Sequence, residues 1–479
     1  MSANYIEIPS ERDYGSKATL AQTLAVIAQS LLLINLGMEL LMPTIVLGDV
    51  YLNKNGEFLL TSTQASWYGS ILYICHPPGS LISGFLQEKV GRKRCMILAN
   101  IPSIIGWTFL HFATSPTMLF ISSLSMGLSI GFNEAPIFSY IGEVTEPRIR
   151  GQLAAVAQGG LFIGSFLTSV LGYFFKWKII ALISVLSPII CILFVLMIPE
   201  SPVWLANKGK NDKAIKSLCW LRGWVDSSLV KEEYKELIQY NQLSGTHHGE
   251  AIEKNINFTS RMMFFKDPLV YRPLRLILVF FLISQILSII PCRPYLKHIL
   301  TELGLVTNQS LILILFTALQ IVPCFLTIIF VKKYGKRFLS LIGLIANTAA
   351  LFVIGLYLML IKNYFLTKKP WIFLILLCWI YSFSYILICL PWTVMSEIYP
   401  YNVRGIATGL SAAFYYFCIF CSTRVYLSVE EFLSLEYTMI LFGVIGVIGS
   451  VYVYFYLPET ENKSLLEIEE IFESNKRVH

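Results

Sequence analysis

The sequence predicts an all-α membrane protein of twelve transmembrane helices in two related halves. Three observations carry that prediction: a composition too apolar for a soluble surface, a series of apolar runs of spanning length, and charged motifs that recur in the same order. Of 479 residues, 55% are hydrophobic and only 14% are charged, whereas soluble domains carry about 25% charged residues. With a mean hydropathy of +0.64, lipid must be the main solvent of this chain.

A membrane-spanning helix needs ~20 largely apolar residues. Runs of that kind fall at about 18–48, 65–87, 94–113, 117–141, 151–175, 177–198, 274–300, 310–331, 337–361, 371–396, 404–428 and 436–457. Open sheets are excluded in lipid because their edge groups would be unpaired, and the alternation of a membrane barrel is absent. The first residues, Met1 to Lys17, are polar and lack the pattern of a cleavable signal peptide. The ten cysteines lie mostly in apolar segments without metal-like spacing, and read as small hydrophobes.

The net charge of +7 comes from bases in short loops. It signals orientation rather than a nucleic-acid partner. Lys89, Arg92, Lys93 and Arg94 follow the second span, and Lys332, Lys333, Lys336 and Arg337 follow the eighth. Arg148, Arg150 and Arg404 fall on the same side, while Lys362, Lys368 and Lys369 oppose the trend. This bias puts both termini in the cytosol. The expected organisation is a cytosolic tail over 1–17, a six-helix half over 18–198, a cytosolic helical linker over 199–272, a second half over 273–457 and a tail over 458–479. Within the linker, Asp212 to Leu221 and Lys231 to Gln239 have helical spacing, and Ser464 with Glu467 suggests a capped helix in the tail. Asn308 heads the one glycosylation sequon expected outside; those at Asn257 and Asn462 fall in the cytosol.

The halves echo each other. Val90-Gly91-Arg92-Lys93-Arg94 after the second span matches Tyr334-Gly335-Lys336-Arg337 after the eighth. Glu143 precedes Arg150-Gly151 by seven residues, and Glu397 precedes Arg404-Gly405 by the same interval. A duplicated six-helix unit suits a transporter in which one half rocks against the other. Acidic and basic groups at helix ends would then pair in one state and part in the other, biasing the equilibrium; the plainer reading is that the bases only set orientation.

Taken in order, these motifs resemble the sugar porter family of the major facilitator superfamily, and most closely its insect trehalose-transporter-like members. The resemblance runs over nearly the whole chain. It rests on Gly84-x-x-x-Glu88-x-x-Gly91-Arg92-Lys93, on Tyr140-x-x-Glu143 with Arg150-Gly151, and on Pro199-Glu200-Ser201-Pro202-x-Trp204-Leu205. It continues through Pro391-Trp392 with Glu397 and Arg404-Gly405 to Pro458-Glu459-Thr460. The resemblance implies the major facilitator fold, a central cavity, alternating access and a mono- or disaccharide substrate. It also implies a gating network of Glu88, Arg92, Arg94, Glu143, Arg150, Glu200, Lys336, Arg337, Glu397 and Arg404.

The same resemblance marks substrate-contacting positions. Gln158 matches a sugar-contacting glutamine, Gln285 the second glutamine of the motif on the seventh span, and Tyr295 a tyrosine further along it. Gln320 stands where an asparagine is usual, Trp392 matches the cavity tryptophan, and Tyr415-Tyr416 replaces an Asn-Trp pair. Amides donate to and accept from hydroxyls, and aromatic faces stack on the C–H surface of a sugar ring. The chain departs from the family at Ser284, Ser288, Ile290, Ile388, Cys389, Val203 and Ser123.

Four charges fall within spans: Glu39, where proton-coupled relatives carry an aspartate, and Glu134, Arg293 and Arg424. A charge at mid-bilayer costs ~2.5–3.5 kcal/mol on the lenient scale, so each should face a cavity or a partner. Arg293 is expected either to pair with Glu39 or Glu134 or to snorkel outward with Arg424. Pro291 and Pro294 flank Arg293 and should break the seventh span, marking a gate or a fixed kink. His76, His111 and His298 are isolated, and no Gly-rich phosphate loop follows a strand. No enzyme chemistry and no cofactor are expected. The expected function is facilitative movement of a sugar or polyol across the plasma membrane. A proton-coupled or other small-solute carrier and a non-transporting sensor are the alternatives.

Overall fold

The computed structural model describes residues 14–51, 59–238, 268–288, 290–305, 308–399, 404–461 and 471–472. The described residues are helical with no strand. The first half comprises α1 (Ser16–Val50), α2 (Ser62–Ile74), α3 (His76–Val90), α4 (Arg92–His111), α5 (Pro116–Val144), α6 (Pro147–Phe174), α7 (Trp177–Ser184) and α8 (Leu186–Met197). The linker adds α9 (Pro202–Asn207), α10 (Asn211–Leu221) and α11 (227–238). The second half comprises α12 (Pro268–Leu287), a 3-10 turn (Arg293–Tyr295), α13 (Leu296–Glu302), α14 (Gln309–Tyr334), α15 (Lys336–Lys362), α16 (Pro370–Ile398) and α17 (Arg404–Tyr456).

Taken as spans, these helices make twelve crossings, because α2–α3, α7–α8 and α12–α13 are each one broken span and α17 is two. Seven stretches among the described residues are individually long and apolar enough to cross a membrane. Two of the interruptions have local causes. Pro77 and Pro78 open α3 and cannot continue the backbone bonding of α2. In α17, Ser434 takes φ +63°, which separates a limb over 404–433 from one over 435–456.

Packing repeats between the halves. In the first half, α1 lies on α6, α3 on α5, and α4 on α5 and on α7–α8. In the second, α12 lies on α17, α14 on α16, and α15 on α16 and on α17. Six spans after each first-half pair, the equivalent pair is in contact. Small residues permit the closest crossing: a β-carbon on Gly164 would stand 1.9 Å from the Ile34 carbonyl oxygen of α1.

The sequon asparagine, Asn308, caps α14 with a left-handed φ of +58°. The sequons at 257 and 462 and the proposed cap at Ser464 and Glu467 lie outside the described residues. Both linker helices expected from the spacing are present. They form a small core of Trp204, Leu205, Ala214, Leu218, Val230 and Tyr234 against the end of the first half. The face carrying α9–α11 is the linker face, and the opposite one the distal face.

Candidate functional site

The two halves meet mainly towards the distal face. The 3-10 turn and α13 pack on α1, the first limb of α17 on α2, and α14 on α6. Thr44 Oγ1 donates to the Arg293 carbonyl at 2.8 Å, and Arg293 Nη2 donates to Ser165 Oγ at 2.8 Å. Ser169 and Thr317 share a hydrogen bond of 2.8 Å between α6 and α14. Arg424 Nη1 donates to Ser66 Oγ at 2.8 Å, and its guanidinium lies 4.9 Å from the centre of the Trp67 ring. Lys297 pairs with Asp49 at 3.7 Å.

These contacts correct one expectation. Arg293 is buried, but its partner is the Ser165 hydroxyl rather than a carboxylate. Ser165 Oγ in turn donates to the Gly37 carbonyl at 3.0 Å, so the guanidinium lies on the α1–α6 contact. Glu39 instead turns into the first half, where Asn35 Nδ2 donates to it at 3.1 Å and Ser103 also donates. Glu134 accepts from the Tyr416 hydroxyl, a bond that crosses between the halves. Arg424 does not simply snorkel either: it is half-buried and bound to the other half.

Between the seam and the linker face lies a cluster of aromatic rings. Phe281 on α12 packs on Tyr415 at 4.7 Å and on Trp392 at 5.4 Å between ring centres. Trp392 meets Tyr415 edge-on at 5.1 Å, and Tyr416 meets His76 of the other half at 4.6 Å. Gln285 follows Phe281 by one turn and therefore shares its face. It is 1% exposed, and among the described residues neither end of its amide has a partner. Both ring nitrogens of His76 are likewise buried without partners. An orphaned buried amide is costly, by about 1–3 kcal/mol, and calls for an explanation.

The other marked residues distribute as follows. Gln158 is half-buried on α6, one turn before Phe162, which packs against Ile321 of α14 and Cys389 of α16. Gln320, next to Ile321, is buried. So α6, α12, α14, α16 and α17 bring Gln158, Gln285, Gln320, Trp392 and Tyr416 towards the middle of the bundle. Tyr295 lies apart from them. Its hydroxyl donates to the Thr423 carbonyl at 3.1 Å and its ring stacks on Tyr426, which makes it part of the distal seam.

At the linker face the charged motifs form two similar clusters, each within one half. Arg92 reaches Glu88 at 2.7 Å and Glu143 at 2.9 Å, and the Ser201 hydroxyl donates to Glu143. Glu200 accepts from the Lys93 backbone N–H at 3.0 Å, satisfying a free donor at the start of α4. In the second half, Glu459 accepts from the backbone N–H groups of Lys336 and Arg337, both at 3.0 Å, at the start of α15. Lys336 pairs with Glu461 at 3.0 Å. Arg94 is exposed beside the first-half cluster. The side chains of Arg150, Glu397 and Arg404 lie outside the described residues.

Three participants were not singled out from the sequence as site residues. Glu459 and Glu461 belong to the second cluster. The signal for Glu459 was the repeat of Pro199-Glu200-Ser201 as Pro458-Glu459-Thr460, in which each Pro-Glu follows a last span. Glu146 accepts from Gln22 Nε2 at 2.7 Å and lies 3.9 Å from Arg222, which ties the linker to α1.

Comparison with known proteins agrees with this architecture. The chain is 26% identical over 471 residues to the facilitated trehalose transporter Tret1 of Culex quinquefasciatus, covering 96% of this chain and 87% of that protein. It is 27% identical to Tret1 of Apis mellifera ligustica, covering 94% and 88%. Against the Aedes aegypti Tret1 identity is 28%, but the match covers 86% of this chain and only half of that longer protein. The inward-open xylose transporter XylE from E. coli superimposes with a TM-score of 0.73 at 17% identity, over 93% of this chain and 98% of XylE, which shows a shared fold. The profile described as sugar (and other) transporter matches residues 16–472, so the chain belongs to that family of membrane transporters.

Proposed function

We propose that the protein moves a sugar or a related polyol across the plasma membrane by facilitated alternating access, with both termini and the linker face in the cytosol. The observation that carries the sugar reading is the buried, unpartnered Gln285 amide, one turn from Phe281 in the Trp392–Tyr415–Tyr416 aromatic cluster. An amide with free donor and acceptor atoms matches vicinal hydroxyls, and the rings match the C–H face of a pyranose. Gln158 and Gln320 complete the polar lining in this reading. The names of the Tret1 relatives add trehalose to the substrates worth testing.

The mechanism follows from where the halves touch. Most of the described bonds between halves hold the distal end shut, with the Tyr416–Glu134 bond crossing nearer the middle, while the linker-face clusters bind within each half. Exchange to the opposite state requires breaking the Thr44, Ser165 and Ser66 contacts and bringing the linker-face ends together. The arginines Arg150 and Arg404, with Glu397, are the groups proposed to pair across that closing seam.

The test is uptake into proteoliposomes, with trehalose, glucose and polyols, with and without a pH gradient. Saturable downhill uptake that is indifferent to the gradient is the expected result. Gradient-driven accumulation abolished in Glu39→Gln would replace this reading with proton coupling. No flux of any of these solutes from a folded sample would favour a sensor.

A further inference from the structure

A second site lies at the linker face, away from the cavity. A groove of about 450 Å³ opens between the start of α4, the end of α8 and the linker helices α9–α10. Four cations line it, Lys93, Arg94, Lys210 and Lys213, against one carboxylate, Glu200. That carboxylate is already occupied by the backbone N–H groups of Lys93 and Ser201. The groove is therefore strongly electropositive. Its floor is apolar, formed by Ile97, Leu196, Trp204 and Leu205, with the Lys210 ammonium 5.2 Å from the centre of the Trp204 ring.

The apolar floor continues into the exposed surface of the bundle. Leu196 lines the groove and is 53% exposed, and Leu193 and Met197 beside it on α8 are exposed as well. On α4, Leu98 and Ile101 lead away from Ile97 with their side chains uncovered. Cations at one end and a bare hydrocarbon strip at the other match an amphiphile with an anionic head, not a free anion.

We propose that this groove binds the headgroup of an anionic phospholipid, with its phosphate among Arg94, Lys210 and Lys213 and its acyl chains along α4 and α8. A headgroup there would tie α9–α10 to α4, beside the Arg92–Glu143 cluster. Lipid composition would then bias the equilibrium between transporter states without touching the substrate.

The test uses the full-length protein in membranes of phosphatidylcholine mixed with phosphatidylglycerol, with retained lipids identified by mass spectrometry of the released protein. Selective retention of phosphatidylglycerol is expected. Each base near a membrane surface contributes about a fivefold preference, so Arg94→Gln with Lys213→Gln should lose roughly thirtyfold. Lys176→Gln, an exposed base at the distal end, should retain the wild-type preference. If the double variant does not fold, the two single variants should each lose roughly fivefold. Unchanged preference in these variants would overturn the proposal, as would equal retention of both lipids by the wild type. Displacement by inorganic phosphate would show an anion site that does not need lipid and would overturn it too. None of these readouts depends on which solute is transported.

Discussion

Glu200 Oε2 lies 2.3 Å from where a β-carbon on Gly91 would stand, and Glu459 Oε2 stands in the same relation to Gly335. Both glycines have positive φ, +104° and +82°, at the turn into a helix whose first N–H groups the same glutamate receives. The two halves thus share a turn in which the glycine is needed twice, for its backbone angle and for its missing side chain.

Gly91→Ala should therefore destabilise the protein through both effects, by about 1–3 kcal/mol from backbone strain alone. Thermal unfolding in detergent measures the loss. Combining it with Glu200→Ala should relieve the clash but not the strain, so the double variant should lie below Glu200→Ala alone. Gly335→Ala should behave in the same way through Glu459.

Gln285→Leu separates a binding role from a packing role. Replacing an unpartnered buried amide by an apolar side chain of similar size is nearly neutral or stabilising for the fold. The expected outcome is an unchanged or raised melting temperature together with a fall in sugar uptake of roughly tenfold or more. Lower stability with intact uptake would assign Gln285 to the core.

Arg92 and Glu143 are both largely shielded from water, so the loss of either should leave its partner uncompensated. A double-mutant cycle of Arg92→Gln and Glu143→Gln should return a coupling of about 1–3 kcal/mol in unfolding free energy. Strict additivity would mean that the two side chains only share a neighbourhood.

Thr44→Val removes a bond that closes the distal seam. One such bond contributes about 1 kcal/mol, or roughly a fivefold shift towards the state with the distal ends apart. Distances between spin labels on the end of α1 and on α13 should lengthen accordingly. The wild-type distribution in the variant would remove Thr44 from the closure.

The fold was legible because its causes are local. Spanning length, loop bases and the paired glycine turns are all properties of short windows, and they gave the crossings and the repeat. The break between α12 and α13 was legible from Pro291 and Pro294 in the same way, although the break also begins earlier, at Leu287.

The charges inside the spans were less legible. Partner choice there depends on helix rotation and depth, which no window contains. Arg293 and Glu39 sit on neighbouring spans, yet one turns to Ser165 at the seam and the other to Asn35 and Ser103 inside its own half. Tyr295 and Tyr416 show the same limit. Both are tyrosines at marked positions, but one is spent on backbone carbonyls and the other bridges to Glu134.

The interruption between Leu287 and Leu296 also restricts which helices can touch lipid. A continuous helix hides its own peptide groups and can turn any side to hydrocarbon. A broken one leaves N–H and C=O groups that hydrocarbon cannot satisfy. The segment holding Arg293 must therefore face protein or water throughout the transport cycle, which keeps that stretch of the seventh span at the interior of the bundle, whereas the unbroken α15 turns Ile345, Val353 and Leu356 outward.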